Sequence, residues 1–193
     1  MEPKFVLASR SPRRRELLPR IGIRDFLIEE AGIDETAVSR GCTSCAETVT
    51  VLAEAKAREV AARHPDAVVI GSDTVVTVDG QILGKPADRD AARKMLRLLS
   101  GREHQVMSGV CVLYEGQTLC GCEITAVRFR MLTDREIDAY IEAEPPFDKA
   151  GAYGIQGLAA LFIERINGDY YNVMGLPLFR LGSMLEHLGI TLL

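Results

Sequence analysis

Several sequence features are absent or weak in this 193-residue chain, and their absence excludes several classes of protein. No segment approaches the ~20 consecutive apolar residues that a membrane-spanning helix needs. The N-terminus lacks the pattern of a secretory signal peptide. The formal net charge is only −4, which argues against the broad basic surface of a nucleic-acid-binding protein. We therefore expect a cytoplasmic protein whose partners include neither nucleic acid nor membrane.

Cysteine and histidine are also scarce, and neither shows the pattern of a catalytic or metal site. The five cysteines are odd in number, which favours reduced thiols over a disulfide framework. Cys42 and Cys45 have redox or zinc spacing, and Cys120 with Cys122 could complete a zinc site, but the second pair lacks zinc-ribbon spacing. The three histidines show no ligand spacing, and no GxSxG motif is present. Nucleophilic serine or cysteine catalysis is therefore not expected.

Apolar strand patterns alternate with helical patterns along most of the chain, which predicts a mixed α/β or α+β fold. The run 67–71 is typical of a central strand, and 75–83 predicts a hairpin. No linker or repeat interrupts the pattern, so we expect one domain over residues 1–193, with two lobes around a cleft. Further strands are predicted at 4–8, 25–29, 103–114, 118–132 and 160–166, and helices from Pro12, over 44–63 and 88–99, from Thr133, and over 176–188.

Three consecutive arginines, at 13–15, lie where the first helix is predicted to begin. Ser11 is the predicted N-cap and Pro12 the first helical residue. Cations in a first helical turn oppose the positive end of the helix dipole, by roughly 0.3–1 kcal/mol each when exposed. Because free backbone N–H groups lie beside them, the arginines indicate a bound anion. A solvated basic face is the alternative interpretation.

Three further polar segments interrupt the apolar framework. Gly71-Ser72-Asp73-Thr74 ends the central strand, where an acid often faces a ligand, although Asp73 could simply cap a turn. Gly84-Lys85-Pro86 resembles the end of a phosphate-binding P-loop but lacks its glycine spacing and its Ser or Thr. The glycine-rich segment 148–157 lacks the dinucleotide-binding spacing. Basic residues together with carboxylates indicate metal-assisted attack on a phosphate ester or anhydride.

Eight motifs in register give the chain a close resemblance to the Maf family of nucleoside triphosphate pyrophosphatases, from Phe5 to about Leu188. The motifs are Ser9-x-Ser11-Pro12-Arg13-Arg14, Lys56-Ala57, Gly71-Ser72-Asp73-Thr74, Gly84-Lys85-Pro86, Ser100-Gly101-Arg102, the segment 148–157, Gly168-Asp169-Tyr170-Tyr171-Asn172-Val173 and Gly175-Leu176-Pro177-Leu178. The resemblance implies a twisted mixed sheet flanked by helices, in two lobes around a cleft, related to inosine triphosphate pyrophosphatases.

The resemblance also implies a reaction, in which water attacks the α-phosphorus of a nucleoside triphosphate and releases pyrophosphate, with Mg²⁺ or Mn²⁺ as cofactor. Arg13, Thr74 and Gln156 fit the branch acting on dTTP and UTP rather than the 7-methyl-GTP branch. The implied catalytic residues are Asp73, Lys85, Lys56 and Glu35; the implied substrate-binding residues are Ser9, Arg13, Arg14, Thr74 and Gln156; and the implied metal ligands are Asp73 and Glu35.

A function of another class stays open at this point. The chain could be a nucleotide-sensing or partner-binding protein linked to division control, the role for which the family was first named. A catalytically inactive version should have lost Asp73 or Lys85, and both are present. The sequence therefore favours the enzyme, acting on canonical and modified pyrimidine nucleotides. It leaves the oligomeric state open, with a homodimer among the alternatives.

Overall fold

The computed structural model describes residues 3–193, in which a seven-stranded mixed sheet is flanked by helices. The α/β class predicted from the sequence is therefore confirmed. The strands are β1 (Lys4–Ala8), β2 (Phe26–Ile28), β3 (Ala67–Val78), β4 (Gln81–Leu83), β5 (Glu103–Tyr114), β6 (Gln117–Phe129) and β7 (Ile163–Asn167). The α-helices are α1 (Pro12–Leu17), α2 (Glu35–Val38), α3 (Cys45–Ala61), α4 (Arg89–Leu99), α5 (Asp134–Ala143), α6 (Tyr170–Met174) and α7 (Leu178–His187).

The strand order in the sheet is β2-β1-β3-β5-β6-β7, with β4 paired to β3 outside this path. Strand β1 is parallel to both of its neighbours, and its residue Ala8 lies opposite Gly71 of β3. The pairs β3–β4 and β6–β7 are antiparallel. Among residues 3–193, no helix has both the length and the apolar character needed to cross a membrane.

The chain divides into two compact units. The first comprises the residues up to Asp73, Ser108–Glu123 and Gly175–Leu193. In its core, helix α3 packs on β1 and β3, because small or branched residues of the helix (Ala53, Ala57, Val60) meet apolar strand residues (Val6, Ala8, Val69).

The second unit comprises Thr74–Met107 and Ile124–Met174. Its core combines Leu96 of α4 and Ile137 of α5 with Phe129 and Phe162. Helix α5 begins as predicted, because Thr133 and Glu136 form a complete capping box. The single domain expected over residues 1–193 stays a prediction.

Several sequence predictions are corrected by the structure. The predicted strands 67–71 and 75–78 form one strand, β3, which continues through Asp73. Ser11 occupies the N-cap position of α1, but its side chain makes no capping hydrogen bond. Helices α2 and α6 were not predicted, and β6 ends at Phe129 rather than at residue 132.

The cysteines give a further correction. Strands β5 and β6 are joined by the turn Glu115-Gly116, where both residues have positive φ, 47° and 77°. Cys111 and Cys120 face each other across this hairpin and form a disulfide, with Cα atoms 4.1 Å apart. The expectation of reduced thiols is therefore wrong for this pair. The remaining cysteines, Cys42, Cys45 and Cys122, are free.

Candidate active site

The candidate site is built where helix α3 lies directly against strand β3. A Cβ atom added to Gly71 would lie 2.2 Å from the carbonyl oxygen of Ala53. Gly109 of β5 has the same relation to Val49, since an added Cβ would overlap that residue's backbone. Glycine at both positions therefore lets the helix backbone approach the sheet more closely than any side chain would allow. This approach brings α3 beside the polar residues that follow Gly71.

Lys56, on α3, joins two carboxylates. Its Nζ lies 2.7 Å from Oδ1 of Asp73 and 2.7 Å from Oε1 of Glu35. The side chains of Lys56 and Asp73 are only 13% and 15% exposed, whereas that of Glu35 is 57% exposed. A buried charge is strongly unfavourable without a partner, so Lys56 and Asp73 each depend on the other. These three charged groups form the centre of the site.

Glu35 reaches Lys56 from the short helix α2. This helix begins at Glu35 because Asp34, at the N-cap, accepts a hydrogen bond from the backbone N–H of Ala37 at 3.0 Å. None of its four residues is buried. Glu35 is therefore held mainly by its ion pair with Lys56, while Asp73 is held by a central strand.

Arg14 organises the polar residues near Asp73. It is 9% exposed, and its Nε donates a hydrogen bond to the carbonyl oxygen of Gly175 at 2.7 Å. Its Nη1 donates to Ser9 Oγ at 3.0 Å and to the carbonyl oxygen of Ser72 at 2.9 Å. Burial lowers the pKa of Arg14, and the nearby Asp73 carboxylate opposes that shift. Arg14 thus connects the turn before α1 with the middle of β3 and with Gly175.

Two of these partners were missed when residues were selected from the sequence. Ser72 donates a second hydrogen bond to Gly175, from its hydroxyl to the carbonyl oxygen at 3.0 Å. Both residues lie in motifs that carry the family resemblance, Ser72 in Gly71-Ser72-Asp73-Thr74 and Gly175 in Gly175-Leu176-Pro177-Leu178, so the motifs themselves were the available signal. Their contact joins residues far apart in the chain, which no local pattern indicates.

Three further predicted residues, Thr74, Lys85 and Gln156, lie in the second unit. Lys85 is exposed just after β4, and the preceding carbonyl oxygen, of Gly84, accepts a hydrogen bond from the N–H of Gly151 at 3.1 Å. Gly151 has φ +68°, and an added Cβ would lie 2.9 Å from Val76. Gln156 is exposed in the same glycine-rich segment. The chain around Lys85 is thus fixed to that segment.

The structure brings the predicted residues into two groups of direct contacts, both in the first unit. Glu35, Lys56 and Asp73 form one group, and Ser9 with Arg14 forms the other. Arg13 is half-buried on α1. Within residues 3–193, no cluster of three or more His, Cys, Asp or Glu side chains could hold a metal by itself. Thr74 is half-buried and begins the second unit.

Two carboxylates beside a lysine, with arginines on the nearby helix α1, suit the binding of phosphate groups together with a divalent cation. A family model described as "Maf-like protein" matches residues 4–188, and the chain belongs to this family. It is 52% identical to the dTTP/UTP pyrophosphatase of Symbiobacterium thermophilum over 96% of this chain and 94% of that protein. It is 52% identical to that of Thermococcus gammatolerans over 90% of this chain and 91% of that protein. It is 48% identical to the dTTP/UTP pyrophosphatase of Bacillus pumilus over 97% of this chain and 98% of that protein.

Proposed function

We propose that this chain hydrolyses dTTP and UTP to the nucleoside monophosphate and pyrophosphate. The observation that carries the proposal is Lys56, whose ammonium joins the carboxylates of Asp73 and Glu35 at 2.7 Å. The relatives named as dTTP/UTP pyrophosphatases match nearly the whole chain, which supports the same substrates here. An intact set of charged residues favours an enzyme over a nucleotide-sensing protein.

Asp73 is the proposed general base. Its carboxylate takes a proton from water as the water oxygen bonds to the α-phosphorus. The bond from the α-phosphorus to the oxygen shared with the β-phosphate breaks, and pyrophosphate leaves with the electron pair. Lys56 holds the Asp73 carboxylate through its hydrogen bond at 2.7 Å and so fixes its direction.

The phosphate chain is the proposed ligand of the basic residues. Arg13 and Lys85 would bind phosphate oxygens directly, since guanidinium and ammonium groups form charge-assisted hydrogen bonds with them. The buried guanidinium of Arg14 would add positive charge and hold the Ser9 hydroxyl in place, because it already donates to Ser9. Charge that develops on the oxygens in the transition state is stabilised best by groups that are already oriented.

A divalent cation, Mg²⁺ or Mn²⁺, fits the donors present. Mg²⁺ is commonly held by one or two carboxylates together with substrate phosphates and water, rather than by a complete protein cage. Lys56 Nζ brings the two carboxylates together through Oδ1 of Asp73 and Oε1 of Glu35, so Oδ2 and Oε2 are the oxygens that would face a cation. These two residues would hold the cation, which when bound would neutralise phosphate charge and polarise the attacked phosphoryl group.

Base selection is assigned to Gln156 and Thr74. The Gln156 amide has both a donor and an acceptor, so it can pair with the O4 and N3–H edge of uracil or thymine. Cytosine presents the opposite pattern at this edge. A site that relies on such hydrogen bonds discriminates strongly, because a mismatched base leaves buried polar groups unpaired. We place the enzyme in the cytoplasm, where its substrates are made, and a homodimer stays a hypothesis for sedimentation analysis.

A pyrophosphate-release assay over dTTP, UTP, CTP, GTP, dATP and 7-methyl-GTP, with and without Mg²⁺, tests the function. We expect dTTP and UTP to be cleaved fastest, and Asp73→Asn to lose at least about a thousandfold in kcat while staying folded. Asp66→Asn, an exposed acid just before β3, is the matched control and should keep full activity. Near wild-type turnover in Asp73→Asn would contradict the assignment of the base.

A further inference from the structure

Glu144 carries a carboxylate at the C-terminal end of a helix, where the helix dipole disfavours it. It follows the last residue of α5, and its backbone N–H donates to the carbonyl oxygen of Tyr140 at 2.8 Å. A negative charge near the C-terminus of a helix is unfavourable, because the unpaired carbonyl groups there carry partial negative charge. The side chain is only 27% exposed. Glu144 therefore does not stabilise its own helix, and its contacts lie elsewhere.

Those contacts lie on the loop that carries Gln156. Oε2 of Glu144 accepts a hydrogen bond from the backbone N–H of Leu158 at 2.7 Å. Leu158 begins a short 3₁₀ helix, Leu158–Leu161, whose N-cap residue, Gly157, has no side chain to cap it. Glu144 thus supplies the missing acceptor from outside the loop.

Gly157 leaves the space that this carboxylate fills. A Cβ atom added to Gly157 would lie 2.1 Å from Oε2 of Glu144. The N–H of Gly157 donates to the carbonyl oxygen of Gly154 at 3.2 Å, which closes a tight turn around Gln156. The carboxylate therefore lies directly against the backbone of the residue that follows Gln156.

Lys149 supports the other end of the same loop. Its Nζ is 3.9 Å from Oε1 of Glu144 and 2.9 Å from Oδ1 of Asp148. A Cβ atom added to Gly154 would lie 3.0 Å from Cε of Lys149. The Lys149 side chain is 16% exposed, so its stem packs along the loop, and its charge pairs closely with Asp148 and at longer distance with Glu144.

We infer that Glu144 is a positioning residue for base selection: it fixes the backbone that follows Gln156, while Lys149 packs against the backbone that precedes it, and so sets where the Gln156 amide meets the base. Gln156 itself is exposed, and within residues 3–193 it has no side-chain partner to orient it. Its direction is therefore set by its backbone, which Glu144 and Lys149 hold. The inference rests on the proposed function, in which Gln156 reads a pyrimidine base.

The test compares kcat/KM for dTTP and for CTP, together with the melting temperature, in four proteins: wild type, Glu144→Ala, Glu144→Gln and Glu142→Ala. Glu142 is exposed on the same helix and is the matched control. We expect Glu144→Ala to lower the dTTP-to-CTP ratio about tenfold, mainly through KM for dTTP, as expected for a lost alignment of hydrogen bonds. Glu144→Gln keeps an acceptor for Leu158 and should retain most of the ratio. Glu142→Ala should match wild type.

The double variant Glu144→Ala with Gln156→Ala shows whether the effect passes through Gln156. If it does, the added Glu144→Ala change should leave the ratio of Gln156→Ala unaltered, because coupled residues are not additive. A wild-type ratio near one would overturn the base assignment and this inference with it. A clear wild-type ratio that Glu144→Ala leaves unchanged would overturn the inference alone. If Glu144→Ala does not fold, Glu144→Asp, which withdraws the carboxylate, replaces it with the same expected loss of ratio.

Discussion

The buried side chain of His104 should lower the stability of the folded protein in mild acid. It lies on β5, is 2% exposed, and its Nε2 is 2.8 Å from the hydroxyl oxygen of Tyr153. Its ring meets those of Phe129 and Tyr153 edge-on, with centroids 4.9 and 5.4 Å away. Within residues 3–193, its Nδ1 has no hydrogen-bond partner. Burial lowers the pKa of His104 from 6.5 to about 4, so the folded protein holds a neutral imidazole.

The sign of the effect follows from proton binding. Below pH 6.5 the unfolded chain takes up a proton at His104, and the folded protein does so only near pH 4. The unfolded state therefore gains stability as the pH falls through this interval, and the free energy of unfolding decreases. A shift of this size corresponds to a loss of about 2 kcal/mol between about pH 7.5 and pH 5, most of it below pH 6.5.

Urea unfolding at several pH values measures this loss, and His104→Gln separates it from the titration of carboxylates. Glutamine keeps a polar group for the Tyr153 hydroxyl and does not titrate. Carboxylates contribute equally to both proteins, so the difference between their free energies of unfolding isolates His104. We expect this difference to change by about 2 kcal/mol over the interval. Parallel pH profiles in the two proteins would refute the reasoning.

Three further predictions concern the first unit and the whole chain. Gly71→Ala should lower the free energy of unfolding by about 1–3 kcal/mol, because the added methyl group overpacks the contact with α3. It should also reduce kcat in the pyrophosphate assay by displacing Lys56. Gly32→Ala is the control, since its added Cβ would meet no atom within 4 Å. Because Cys111 and Cys120 form a disulfide, alkylation followed by mass spectrometry should count three free thiols. Reduction of this disulfide should lower the free energy of unfolding by up to about 2–3 kcal/mol. The double variant Cys111→Ser/Cys120→Ser is the control, and reducing agent should leave its free energy of unfolding unchanged. One cooperative unfolding transition, at the same denaturant concentration by fluorescence and circular dichroism, would support a single domain over residues 1–193, and two separate transitions would contradict it.

The long elements of the fold could be predicted from the sequence because their signals are local. The capping box at Thr133 and the apolar run at 67–71 correspond to real features of α5 and β3. The continuation of β3 through Asp73 could not be predicted in this way, since polar residues resemble a turn until neighbouring strands pair with them. Helix α2 is only four residues long, too short for a periodic pattern.

The spacing of Cys111 and Cys120 in the sequence indicates their disulfide, although the odd number of cysteines does not. Cys111 and Cys120 are equally distant from the turn Glu115-Gly116, which lies between the strands predicted at 103–114 and 118–132. In a hairpin with a two-residue turn, such positions lie opposite each other. The number of cysteines carries no information on which residues of β5 and β6 face each other. The predicted strand pairing was therefore the better basis for predicting the disulfide.

The candidate site was predicted in its residue types but not in its connections. Asp73 and Lys56 were both selected, and the structure adds the hydrogen bond between them. Arg14 was selected as an anion-binding residue, yet three of its hydrogen bonds go to Gly175, Ser9 and Ser72. Gly175 is 161 positions away in the chain, so only the folded structure could show this partner.

The unequal anchoring of the two carboxylates has a consequence for how the site is assembled. Asp73 belongs to a central strand, but Glu35 belongs to a four-residue helix with no buried side chain. Segments with so few buried contacts open at little free-energy cost, so the amide protons of α2 should exchange with deuterium far sooner than those of β3. Glu35 can then leave and rejoin the site while the core stays closed. The carboxylate of Glu35, a proposed cation ligand, would then be in the site for only a fraction of the time, and a bound nucleotide that keeps α2 folded would raise that fraction.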